Sequence, residues 1–356
     1  MLWALLAILL TLILVVGIHE AGHAFAAKIF GVKIQKISIG FGKPLLTWRT
    51  KSGLQLVWSL WPLGGYVQLL NSRIQPVSPE ESAFCFDKKQ VWMRCIILAS
   101  GALANLITAW LAFTLMFMIG YQQTPALVQA VEVESLAAKS GLKAGDRFVN
   151  LGGQEVNSWQ ETGMRLIMDL GKKEVPALVK DSSENIHKIN LDLSQWRYKR
   201  GDRSLLQGLG IEPESSTEKE WVQGQSVGVA FYHAVTKSLQ LLSFFLVMLK
   251  QLLTGMIPFA VLLGPIGLFS ASVTSFFQGV PVFLYFIANF SLAVGLLNLF
   301  PVPGLDGGSI VYALIEKIRG KPVSIAMEVL LHQLAVIFFV ILLVQLILND
   351  VQRYLH

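Results

Sequence analysis

LWALLAILLTLILVVGIHEAGHAFAAKIFG, residues 2–31, marks the chain as one that enters a membrane. Residues 2–18 carry no charged side chain, and about 20 apolar residues are enough to cross the hydrocarbon core of a bilayer. The run passes without a break into His19, Glu20 and His23. Three ionisable groups within five residues of a membrane helix need a compensating partner. The expected element is a retained first transmembrane helix over residues 1–27. The alternative is a cleaved signal peptide ending near Ala24-Phe25-Ala26. Against that stand the missing positive leader and the loss of the polar cluster with the discarded piece.

The remaining chain has the same character. Of its 356 residues 53% are hydrophobic and 15% charged, with a mean hydropathy of +0.56. Soluble domains carry about 25% charged residues, so a freely soluble enzyme is excluded, as is a disordered or collagen-like chain. The net charge of +6 comes with nine Trp and 21 Phe, which suits a membrane protein better than a nucleic-acid binder. Cys85 and Cys95 form neither a disulfide framework nor a metal-type CxxC pair.

Further spans are expected at 93–119, 281–300 and 325–348. The fold class is a polytopic α-helical membrane protein with about four transmembrane helices, a membrane-associated β-hairpin region and one extracytoplasmic α+β domain. The apolar stretch 238–277 is interrupted by Lys250, Gly255, Pro258, Gly264 and Pro265. It reads as interfacial or re-entrant helices, with a pair of extra spans as the alternative. The divisions are 1–27, 28–92, 93–120, 121–220, 221–280, 281–310 and 311–356. In 34–67, β-rich runs alternate with Gly40-Phe41-Gly42, Lys51-Ser52-Gly53 and Gly64-Gly65, a hairpin pattern. Between 126 and 213, strand-like runs at Leu127–Val133, Arg147–Leu151, Ala177–Lys180 and Lys188–Leu193 accompany a helical stretch near 158–170.

Charge sets the orientation. Residues 28–92 hold nine Lys/Arg against Glu80, Glu81 and Asp87, and Lys317, Arg319 and Lys321 follow the third span. Both loops are expected to face the cytoplasm, with 121–231 and both termini outside.

His19-Glu20-Ala21-Gly22-His23 is an H-E-x-x-H motif. Residues four apart share a helix face, so both imidazoles can reach one Zn²⁺, with Glu20 beside them as general base. Alternatives are a polar cavity lining or a non-proteolytic metal site. A catalytic zinc needs a third protein ligand and an open position. Asp306, in Asn298–Gly308 (NLFPVPGLDGG), is the candidate, because topology puts it at the same membrane depth as the two histidines. A plain Asp-Gly-Gly bend is the other reading of it. His332 is held as a reserve ligand, while His187 and His233 are assigned outside and His356 to the C-terminus. Asn298 is a candidate for binding substrate, or an ordinary interhelical amide.

With these residues in hand, the chain resembles the site-2 protease family of intramembrane zinc metalloproteases, in its RseP-like bacterial branch. The resemblance rests on HEAGH, GFGKPL and PLGGYV, FDKKQVWMRCIILASGALAN, and NLFPVPGLDGG. It implies that His19, His23 and Asp306 bind one Zn²⁺ and that Glu20 is the catalytic base. It also implies that the 34–67 hairpins clamp an unwound substrate by strand addition. Ala137–Asp146 (AAKSGLKAGD) resembles a PDZ signature, which implies a periplasmic PDZ-like domain screening substrates by size. The implied location is the bacterial inner membrane, with the active site towards the cytoplasm. The implied substrate is a single-pass membrane protein of anti-sigma-factor type, or a remnant signal peptide.

The chain departs from its resemblance in places. There is room for one PDZ domain where Gram-negative members typically carry two. Gly101-Ala102 stands where Gly-Pro is usual, Ser309 where His is common, and Ala293 where Asn occurs. The expected activity is a zinc-dependent intramembrane endopeptidase. A catalytically silent membrane adaptor and a metal transporter using the same site are the alternatives.

Overall fold

The computed structural model describes residues 2–51, 53–197, 206–214 and 219–355. They form two compact units: one of residues up to Phe117, Ser226–Leu242 and everything from Leu262, the other of Met118–Gln225 and Ser243–Val261.

In the first unit, α1 (Leu2–Leu12) and α2 (Ile18–Ile29) are joined by a π-helical segment, Ile13–Gly17. The wider turn shows at Ile18, whose N–H reaches back five residues to Ile13 O. The polar residues of this helix are covered rather than exposed: Thr11, His19, Glu20 and His23 are all buried. Two long bent strands follow, β1 (Ile34–Arg49) and β2 (Gln55–Leu69). Their register places Ile37 between Leu56 and Val67, while residues 46–49 pair with 55–58. One edge of this sheet is therefore 46–49 and the other 65–69. Phe41, Leu45, Leu46, Trp48, Leu60 and Trp61 stay exposed on it. The helix α3 (Val91–Ile119) completes the first half of the unit.

The second unit contains β3 (Tyr121–Gln123), β4 (Val128–Val131), α4 (Leu136–Lys139), β5 (Arg147–Leu151), β6 (Gln154–Glu155), α5 (Trp159–Met168), β7 (Val175–Lys180), β8 (Ile186–Leu191), β9 (Ile211–Pro213) and β10 (Glu220–Val222). A four-stranded antiparallel sheet runs β6-β5-β7-β8, with β4–β9 and β3–β10 as separate pairs. Alternation of buried and outward residues in β7 (Val175, Ala177, Val179 inward) is what a half-buried strand requires. Phe148, Leu151, Leu166, Leu191 and Leu193 fill the core with them. Ser158 starts α5 by accepting the Glu161 N–H at 3.3 Å, as an N-cap does.

The next helix, α6 (Val227–Leu253), gives residues to both units. Its end belongs with the second: Gln251 Nε2 donates to Ile167 O at 2.6 Å, and Ile257, just past the helix, is buried. Returning to the first unit, α7 (Pro265–Phe277), α8 (Val280–Asn298), α9 (Asp306–Arg319) and α10 (Ile325–Leu355) follow. Among the described residues six stretches are long and apolar enough to cross a membrane: the four expected, plus Val227–Leu253 and Phe259–Phe277. The extra two come from the segment expected to be interfacial or re-entrant. There the helix breakers delimit elements instead of interrupting them. Lys250 lies in the last turn of α6, Gly255 takes positive φ just beyond it, and Gly264-Pro265 is the N-cap and first residue of α7. The stretch 259–277 is not one helix, however; α7 alone has 13 residues, about 20 Å of rise against a core of about 30 Å. Along α10, Leu334, Ile337, Phe338 and Ile341 are exposed, a face that lipid, not water, accommodates.

Two buried polar contacts fix α7. Thr11 Oγ1 lies 2.7 Å from Ser272 Oγ, which in turn reaches Ala7 O at 3.3 Å. Asp350, fully buried on α10, accepts the Gly264 and Gly267 N–H groups at 2.9 Å each and so closes the N-terminus of α7. Removing this acceptor leaves two buried donors unsatisfied, at about 1–3 kcal/mol per group. Asp350→Ala is therefore expected to lower the thermal unfolding midpoint in detergent, followed by circular dichroism. Asp350→Asn, which keeps one acceptor, is expected to lower it less.

Candidate metal centre

The helical repeat of α2 puts His19 and His23 on one face, with ring centroids 4.8 Å apart and planes at 83°. What brings other chain segments to that face is the absence of side chains. A Cβ on Gly22 would stand 2.5 Å from Ser100 O and 2.8 Å from Ala104 Cβ, so α3 passes directly over it. Opposite, a Cβ on Gly101 would run into both imidazoles. His23 Nδ1 donates to Ile97 O at 2.8 Å, and His19 Nδ1 lies 3.3 Å from Asn105 Nδ2. Residues 97, 101 and 105 form one stripe of α3, so a single helix face backs both rings.

Asp306 arrives from elsewhere. The third apolar helix, α8, stops at Asn298, and Pro301, Pro303 and Gly304 (φ +92°) carry the chain through a turn into α9. Any side chain at Gly307 would strike the carbonyls of Leu299 and Phe300, and one at Gly308 that of Val302. The two glycines thus let α9 start hard against the end of α8 and hold Asp306 in its first turn. From there Asp306 Oδ2 reaches 3.2 Å from His19 Nε2 and 3.2 Å from His23 Nε2. The two nitrogens are themselves 3.2 Å apart.

These three atoms fit a metal ion. Asp306 Oδ2 is buried and accepts no hydrogen bond. His23 spends its N–H on Ile97 O, so its Nε2 presents a bare lone pair to the same point. Ligand atoms at tetrahedral zinc, with bonds of 2.0–2.1 Å, stand about 3.3 Å from one another. The observed triangle of 3.2 Å edges has the size of one tetrahedral face.

Beside the triangle lies a cavity of about 410 Å³ lined by His19, Glu20 and Asn298, with Leu12, Val16, Phe269, Phe290 and Val294 on its apolar walls. Glu20 is buried and packs against Gly65, where a Cβ would meet its Cγ at 2.9 Å. Asn298 donates from Nδ2 to Val294 O at 3.0 Å on its own helix. The structure thus brings His19, His23 and Asp306 together, with Glu20 and Asn298 on the adjoining cavity. His332 does not join the triangle; its ring sits by Gly304 instead. His356 lies outside the described residues. The supporting role of the stripe Ile97, Gly101 and Asn105 leaves little trace in the sequence. A carbonyl oxygen has no sequence signature, and the clearest trace of the stripe is the amide of Asn105 in a mostly apolar span.

The profile of peptidase family M50 matches residues 7–342. The chain belongs to this family. The M50 chain is 27% identical over 446 residues to Protease RseP of Yersinia pestis, with 99% of each protein covered. The Regulator of sigma-E protease RseP of Escherichia coli K12 is also 27% identical, over 445 residues and 99% of both. A putative zinc metalloprotease of Xylella fastidiosa is 29% identical over 401 residues, covering 87% of this chain and 89% of the relative. This M50 peptidase is a metalloprotease of polytopic membrane type.

Gly101→Ala is expected to push the two imidazoles out of register while leaving the fold intact. Displacing reacting groups by about 1 Å costs on the order of 100-fold in rate. Zinc content by atomic emission and cleavage of a model substrate should fall together, whereas Gly163→Ala, at a glycine with open space around it, should leave both unchanged.

Proposed function

We propose that His19, His23 and Asp306 hold one Zn²⁺ and that Glu20 is the general base of a peptidase acting inside the membrane. The observation carrying this reading is the buried triangle of three ligand atoms, 3.2 Å on each edge, beside a carboxylate and an apolar cavity. A zinc ion bound there would polarise the scissile carbonyl and make water acidic enough to be activated near neutral pH. Glu20 takes the proton of the attacking water and passes it to the departing amine. Asn298, on the cavity wall, is assigned to a substrate carbonyl.

Substrate enters as an unwound strand. A transmembrane helix keeps its amides in internal bonds, so its backbone must open before it can be cut. The edge strand 65–69 ends in the cavity at Gly65, and an extended segment laid against that edge regains backbone partners. Apolar walls suit the side chains of a membrane segment. The proposed substrates are single-pass proteins of anti-sigma-factor type, or remnant signal peptides. The alignments run over 445–446 positions against 356 residues here, so those relatives carry additional sequence, which supports a single PDZ-like domain within 121–220. The charge distribution supports an inner-membrane location with the site towards the cytoplasm and that domain in the periplasm.

Glu20→Gln is expected to retain zinc and to lose cleavage of a model transmembrane substrate by at least about 100-fold. Cleavage at the original rate rejects Glu20 as base. Asp306→Ala is expected to lose most of the zinc when purified in the same way, and full occupancy removes Asp306 from the ligand set.

A further inference from the structure

Asn105 is completely buried in the middle of α3, facing α2. Its Nδ2 stands 3.3 Å from His19 Nδ1, while its Oδ1 is buried with no hydrogen-bond partner. A half-turn about the side-chain amide exchanges these two atoms, and the chemistry of the ring decides between them. A histidine that offers Nε2 to a metal keeps its proton on Nδ1 and needs an acceptor there. The amide oxygen is the acceptor this position supplies, and the exchange also satisfies the orphaned oxygen. No second polar side chain is within hydrogen-bonding distance of His19 Nδ1 among the described contacts.

We propose that Asn105 is a positioning residue: its amide oxygen accepts the Nδ1–H of His19 and thereby fixes the tautomer and ring plane that turn Nε2 towards Asp306 and His23. The inference rests on the metal-binding reading above and goes beyond it. The geometry has an internal counterpart. On the same stripe, Ile97 O holds the Nδ1–H of His23 at 2.8 Å, and Gly101 lies between the two rings. Backbone thus serves one histidine and a side chain the other. The Ile97 carbonyl also accepts the Ser100 hydroxyl at 2.6 Å, which fixes that end of the stripe independently of Asn105.

The test uses the full chain in detergent, with zinc retention against a chelator as the main readout. Asn105→Leu removes the acceptor at similar volume. It should weaken zinc binding by about 10- to 100-fold, the usual effect of losing a partner that orients a ligand histidine. Asn105→Asp keeps an acceptor at the same place and should hold zinc at least as well as the native chain. With cobalt in place of zinc, the visible absorption bands should change in the Leu variant and stay near native in the Asp variant. A folded Asn105→Leu that retains zinc as the native chain does overturns the proposal. Should the Leu variant not fold, Asn105→Asp decides: loss of zinc with an unchanged thermal midpoint overturns the assignment. A native chain that binds no zinc at all would fail the metal-binding reading itself, which separates the two outcomes.

Discussion

Two imidazole nitrogens and a carboxylate oxygen meet at a buried point, and without a cation between them they repel one another. Everything around the site works to keep them there. They come from two segments far apart in the chain, the helix α2 with both histidines and the start of α9 with Asp306, and each must be placed to within a fraction of an ångström. In a lipid environment no hydrophobic driving force presses helices together, so close approach depends on small residues and on a few polar contacts. Gly22 and Gly101 let α2 and α3 touch, and Gly307 and Gly308 let α9 begin against the end of α8. The same logic extends to the periphery, where buried Arg94 pairs with Glu316 at 2.8 Å and ties α3 to α9 well beyond the ligands.

The chemistry is one-sided. One flank of the triangle is closed by α3, and the other opens to Glu20, Asn298 and the apolar cavity. In the proposed reaction a substrate backbone would approach from that open side, past the edge strand at Gly65. The roof of that cavity is built from Pro265, Leu268 and Phe269 of α7, an element held by Asp350 at one end and by Thr11 and Ser272 along its side. A short helix that cannot span the bilayer is thus integrated by polar contacts rather than by length.

Much of this was legible from residues alone, for identifiable reasons. His19, Glu20, His23 and Asp306 are ionisable groups in apolar surroundings, and such groups announce themselves by their cost. The four most hydrophobic helices followed from composition. The stretch 238–277 was harder, because Gly255, Gly264 and Pro265 can either break a helix or mark where two of them end, and composition does not separate those cases. Asn105 carries a weak signal, since one amide in a span usually means an ordinary interhelical contact. The carbonyl of Ile97 carries none. Nor do Phe269 and Phe290 show by spacing that they line one chamber with Leu12 and Val16; only tertiary packing joins them.

The wide turn at Ile13–Gly17 has a consequence for azimuth. A regular helix advances about 100° per residue, so Thr11 and His19, eight residues apart, would point about 80° away from each other. One surplus residue absorbed in the π segment takes back about one such step and swings Thr11 round to within about 20° of His19. Thr11, Leu12 and Val16 accordingly share a chamber with His19 and Glu20. The upper half of the first helix is phased to the lower by a single amino acid, like a key cut one notch over, and the chamber's shape is separable from the ligand motif that it serves.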